Sequence, residues 1–120
     1  MMKDGININQ RDIILVPISF SDLQESKKRP ALIISNQKFH ENNSDFICCA
    51  ITSNPNEQAY CVDINDHDFE DGSLDFKSKI KVTKIFSLDK SLIQRTIAKL
   101  NREKTQKVLC KLNTYFKLDN

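Results

Sequence analysis

Lys27-Lys28-Arg29-Pro30-Ala31-Leu32-Ile33-Ile34-Ser35-Asn36 delivers three cations directly into an apolar run that Ser35-Asn36 closes. Consecutive apolar residues bounded by a turn signal read as a strand buried on both faces. Arg29 then sits at the mouth of that strand. Pro30 cannot donate to a sheet ladder and biases the residue before it towards extended geometry, so the guanidinium is aimed from the strand's end. That placement suits an anion site. A charge run of this kind also forms an ordinary solvated loop that keeps a hairpin soluble.

Working outward, Asp12 to Val16 is rich in β-branched residues and is closed by Pro17, which makes it a first strand for Pro30 to Ser35 to pair back on. Ile18 to Leu23 is partly extended before Gln24-Glu25-Ser26 turns the chain. Gln37 to Ser44 has no apolar period and reads as loop or a short helical turn. Phe46 to Ile51 is a second fully apolar strand, and Thr52 and Ser53 put two hydroxyls where it meets the Asn54-Pro55 turn. Tyr60 to Ile64 reads as a further strand, and Lys79 to Phe86 alternates polar with apolar, one face wet and one in the core. Ser87 to Ile93 reads as a turn with a short helical piece, and Gln94 to Ala98 as a last short strand. From Asn101 the period becomes helical. Asn101 can cap the first turn, and Val108, Leu109, Leu112, Tyr115 and Phe116 form one stripe that packs on the sheet.

At 120 residues, residues 1–120 are a single domain, mainly β, a small barrel with a polar rim and a C-terminal helix. No apolar run approaches the roughly 18 residues that cross a bilayer, and Met1-Met2-Lys3-Asp4-Gly5 lacks the apolar core of a secretion signal. A cytoplasmic location without membrane association is expected. The four cysteines agree: without a Cys-x-x-Cys pair they read as reduced, largely buried small hydrophobes. The net charge of +2 conceals an asymmetry, since the charges from Cys61 to Phe76 are all acidic and those from Lys77 onward mostly basic. A basic half is compatible with a polyanion partner and equally with a solvated strand and helix face.

Candidate chemistry is sparse. Asp66-His67-Asp68-Phe69-Glu70-Asp71-Gly72 resembles the opening of a calcium loop, but glycine comes one position late and Lys77 stands where a bidentate Glu is required. The segment therefore reads as a solvated loop, with no metal and no cofactor. His40 and His67 lie in polar stretches and read as surface histidines. No nucleophile elbow, phosphate-cradling glycine loop or paired-carboxylate motif is present.

From about Arg11 to Phe116 the chain resembles the MazF/PemK family of toxin endoribonucleases from bacterial type II toxin–antitoxin systems. The resemblance is carried by Asp12-Ile13-Ile14-Leu15-Val16-Pro17, Ser21-Asp22-Leu23, Lys28-Arg29-Pro30-Ala31-Leu32-Ile33-Ile34-Ser35, Ala50-Ile51-Thr52-Ser53-Asn54, Lys79 to Phe86 and Leu88 to Ile93, in that order and spacing. It implies an SH3-like β-barrel with appended short helices, usually a homodimer, inhibited by a short antitoxin that wraps the RNA groove. It also implies metal-independent cleavage of single-stranded RNA or mRNA, with Arg29 and Thr52 catalytic and Ser53, Lys28 and Ser26 binding substrate. His40 is a weak candidate for general base. Two positions depart from the family: Arg11 stands where its first strand opens on glycine, and Gln24 to Lys28 replaces a glycine-bearing turn. The other reading is a non-catalytic SH3-like module of the same fold that binds a protein partner or nucleic acid.

Overall fold

Runs such as Ile13-Ile14-Leu15-Val16 and Phe46 to Ile51 are apolar at every position because the sheet they enter is covered on both sides. The computed structural model describes residues 7–19 and 27–120. Residues 20–26, with Ser21-Asp22-Leu23, the expected turn at Gln24-Glu25-Ser26 and the expected substrate contact Ser26, lie outside those residues, as do residues 1–6. Among the described residues, the strands are β1 (Asp12–Ile18), β2 (Lys27–Ile33), β3 (Asp45–Thr52), β4 (Cys61–Ile64), β5 (Phe69–Gly72), β6 (Ser78–Asp89) and β7 (Arg95–Leu100). Helix α1 (Gln37–Glu41) joins β2 to β3, and α2 (Arg102–Tyr115) follows β7. All pairings are antiparallel, in the order β4-β6-β3-β2-β1-β7-β5. The result is the expected mainly β fold, a curled half-barrel with a C-terminal helix.

Register divides the apolar residues between two cores. Ile13, Leu32 and Cys49 lie opposite one another and belong to one cluster, with Val62, Ile80, Val82, Leu100, Val108 and Leu112. Their neighbours Ile14, Ala31 and Ala50 form the next row and, by strand alternation, face the other cluster, with Ile8, Val16, Ile33, Phe46 and Cys48. Helix α2 covers the first face. Asn101 caps it as expected, its Oδ1 accepting the Lys104 N–H at 2.8 Å. The buried stripe is shorter than expected, because only Thr105, Val108 and Leu112 are buried while Tyr115 and Phe116 remain 39% and 72% exposed. In the last turn Tyr115 instead meets the Tyr60 ring, just before β4, edge to face at 5.3 Å.

Several boundaries move for identifiable reasons. β1 continues through Pro17 to Ile18, because its pairing with β7 ends at Leu15 and the missing N–H of Pro17 costs no bond on that side. β6 runs to Asp89, so the expected turn with a short helical piece narrows to a 3-10 turn, Lys90–Leu92. The acidic segment is no solvated loop. Asp66–Asp68 forms a 3-10 turn and β5 pairs with β7. Asp68 is buried, accepting the Asn65 N–H at 2.8 Å and meeting Lys104 Nζ at 3.3 Å. Gly72, at φ +69°, ends β5 so close to β7 that a Cβ there would stand 2.4 Å from the Ile97 carbonyl oxygen. Cys48 and Cys49 are buried and their thiols are pushed up to about 12 by desolvation, but Cys110 is exposed, against expectation.

Arg11 holds a left-handed backbone, φ 83°, which a glycine would adopt without a Cβ penalty. It stays there because four hydrogen bonds converge on it. Its N–H donates to Ile33 O at 2.9 Å and its carbonyl accepts from Leu100 N at 2.9 Å. Its Nη1 donates to Leu100 O at 3.0 Å and to Glu70 at 2.7 Å. Arg11→Gly relieves the backbone but loses the side-chain bonds, whereas Arg11→Ala loses the bonds and keeps the strain. Urea unfolding should therefore rank Arg11→Ala below Arg11→Gly by about 1 kcal/mol. The opposite order would show that the backbone here carries no strain.

Candidate functional site

β2 and β3 are paired only over Ala31↔Ala50, Leu32↔Cys49 and Ile33↔Cys48. The reason is chemical. Ile33 presents its carbonyl to Arg11, on the β1 side, and Ile34 donates to Ile47 O, on the β3 side. Backbone groups alternate sides along a strand, so position 30 also faces β3. Pro30 has no N–H to offer there, and the ladder stops. β2 continues outward to Lys27 on β1 alone, while β3 turns at Ile51 and Thr52 to pair with Ile80 and Lys79 of β6. A groove of about 870 Å³ opens where the two strands part.

Both strands feed the groove. Lys28, Arg29 and Pro30 line it from β2, and Thr52, Ser53 and Asn54 from the end of β3. The cations lie within a strand and not in a loop before one, which revises the expected boundary of β2 while keeping Arg29 in the part that β3 leaves uncovered. Arg29 is half-buried, opposite Val16. Thr52 Oγ1 accepts the Asn54 N–H at 3.1 Å, so the backbone takes a lone pair and the hydroxyl hydrogen can be donated elsewhere. Lys28 and Ser53 are exposed on the groove's sides. Thus four of the five expected site residues meet in one concavity; the fifth, Ser26, lies outside the described residues.

The sequence reading missed other groove residues. Arg95 opens β7 opposite Leu15, and the 73–77 connection brings Asp75 and Phe76, the latter 74% exposed. Lys81 belongs in sequence only to the basic stretch after Lys77. It lines the groove, its Nζ 2.9 Å from Glu57 Oε1, and Lys79 Nζ donates to the Glu57 carbonyl at 2.9 Å. No spacing signal marks these residues, because they reach the groove from β7, the 73–77 connection and β6.

His40 is corrected on two counts. It is 5% exposed, not a surface residue, and it does not line the groove. Its Nε2 lies 2.6 Å from Ser35 Oγ, which accepts the Ile47 N–H at 2.9 Å. Burial first, and then the Lys90 ammonium, hold the imidazole below its ordinary value of 6.5, with Asp12 opposing. The imidazolium carries an N–H at Nδ1 as well as Nε2, and no described residue accepts from Nδ1. The sign follows: the unfolded chain takes up this proton first, so stability is complete above pH 6.5 and falls as pH drops towards the folded value. Titration of the His40 ring by NMR should give a midpoint below 6.5, and a midpoint above it would contradict this environment.

Solved structures share this fold. A mycobacterial endoribonuclease in complex with its cognate antitoxin superposes with a TM-score of 0.74 at 14% identity, over 95% of this chain and 99% of that one. A MazE–MazF complex from Deinococcus radiodurans gives 0.72 at 16% identity, over 93% and 97%. A MazF toxin of Mycobacterium tuberculosis gives 0.70 at 19% identity, over 92% and 100%. No curated protein sequence matches the chain. A family model, however, matches residues 9–116, nearly the whole described fold, and by that match the chain belongs to the PemK-like, MazF-like toxins of type II toxin–antitoxin systems.

Proposed function

We propose that the protein is a metal-independent endoribonuclease that cleaves single-stranded RNA, mRNA included, in the groove between β2 and β3. The observation that carries this reading is the meeting of Arg29 with Thr52 in one groove of a toxin-family fold. The nucleophile is the substrate's own 2′-hydroxyl, so the protein must hold the phosphate, offset charge on five-coordinate phosphorus and let two protons move. Arg29 supplies a planar fork of donors matched to two phosphate oxygens. Thr52, oriented by the Asn54 N–H, adds one donor from the opposite strand. Ser53 and Lys28 contact the flanking backbone, with Ser26 in the same role. The products are 2′,3′-cyclic phosphate and 5′-hydroxyl ends.

As the toxin of a type II system, the chain is neutralised by a cognate antitoxin, and complexes of structural neighbours with antitoxins support that reading. A homodimer acting in the cytoplasm to arrest growth completes it.

Purified protein should cleave single-stranded RNA in excess EDTA, and loss of activity restored by magnesium or manganese would rule out the metal-free route. Arg29→Ala should lower kcat by at least about 100-fold, the scale for removing one preorganised donor from a transition state, with RNA binding largely kept. Arg29→Lys should be nearly as damaging, because a point charge cannot reproduce the fork. Lys107→Gln, on the exposed face of α2, should leave kcat unchanged. Wild-type turnover by Arg29→Ala would move the site elsewhere.

A further inference from the structure

The groove holds one feature that phosphate binding does not explain. Glu57 places a carboxylate in the groove that Lys28, Arg29 and Arg95 also line, read above as taking a polyanion, and of the two acidic lining residues it is the half-buried one, Asp75 being exposed. Phosphates repel it, so a residue present only to attract RNA would not be acidic. Nor is the side chain loose. Lys81 Nζ meets its Oε1 at 2.9 Å, with Lys81 14% and Glu57 36% exposed at the side chain. Its backbone is fixed as well, since the Glu57 N–H donates to Asn54 O at 3.2 Å and the Glu57 carbonyl accepts from Lys79 Nζ at 2.9 Å. Asn54 Oδ1 in turn accepts the Asn56 N–H at 2.9 Å. The turn that follows Thr52 thus holds an ordered carboxylate and ammonium side by side, one turn from a proposed catalytic hydroxyl.

A carboxylate is acceptor-only, with about four lone-pair sites on two oxygens, and Lys81 meets one of those oxygens. What complements it on single-stranded RNA is a base edge with adjacent donors. Proteins read such bases on their Watson–Crick edges once the bases are unstacked. Guanine alone carries two neighbouring donors there, N1–H and the 2-amino group, with the O6 acceptor beside them. Carboxylate and ammonium together match that order: two donors to Glu57, one acceptor to Lys81.

We propose that Glu57, with Lys81 beside it, reads a guanine of the bound RNA and so sets part of the cleavage sequence. This rests on the ribonuclease reading and adds a base-specific contact to it. A purely structural role for the pair, neutralising Lys81, predicts equal effects on all sequences.

The test uses inosine, which lacks only guanine's 2-amino group. Ends mapped from random single-stranded RNA cut by the wild type should show guanine at one fixed position from the cleaved bond. Inosine there should lower kcat/KM about 10- to 100-fold, the range for one lost hydrogen bond to a charged group. In Glu57→Gln and in Glu57→Ala that ratio should collapse towards unity, with the pH–rate profile of Glu57→Gln retaining its acid limb. No fixed guanine, or an inosine penalty unchanged in both variants, overturns the proposal. So does loss of the acid limb, which would make Glu57 the proton acceptor. Uncleavable 2′-O-methyl RNA, read by fluorescence anisotropy, separates the two claims. Guanine-over-inosine binding by a wild type that cleaves nothing sinks the ribonuclease reading alone. Cleavage without that preference sinks this one alone.

Discussion

One missing hydrogen-bond donor shapes the functional half of this molecule. Pro30 presents no N–H on the side of β2 that faces β3, so their ladder ends at Ala31↔Ala50. Were it to continue, Arg29 and Lys28 would lie in the middle of a sheet, flanked on both sides, and charged side chains there would face desolvation without gain. Parted, the strands leave Arg29 half-buried on one wall and Thr52 half-buried on the other. The core explains why this opening does not unravel the sheet. Ile13, Ile14, Leu32, Ile33, Cys48 and Cys49 are fully buried just inward of it, on two faces at once, and hold the three central strands together.

Charge along the chain and charge in space differ sharply. The acidic stretch from Cys61 to Phe76 and the basic one after it are folded against each other: Asp63 meets Lys79 at 4.0 Å and Asp68 meets Lys104 at 3.3 Å. Lys99 is similarly engaged by Asp12 at 3.4 Å, and Lys81 by Glu57. The apparent basic half is therefore partly neutralised within the fold, and much of its long-range attraction for a polyanion goes with it. The groove's positive character comes instead from cations of two other strands, Lys28 and Arg29 on β2 and Arg95 on β7.

The sequence by itself determined the elements whose signals are local. Apolar runs marked β1, β2 and β3 because double burial admits no polar position, and Asn101 marked the start of α2 because a cap depends on its own next residues. Arg29 and Thr52 were legible as a pair through the family's ordered motifs, each at the end of a strand that could be read. Tertiary structure decided what depends on partners distant in sequence. His40 looked like a surface histidine because its burial is imposed by Ser35, β3 and Lys90. Phe116 looked like core, but it ends α2 as its C-cap and is exposed. Glu57, Lys81 and Arg95 carried no mark because their meeting is made by β6 and β7 crossing back to the groove. Periodicity reports how one segment sits relative to water. Which carboxylate meets which ammonium depends on strand order, and no single segment contains it.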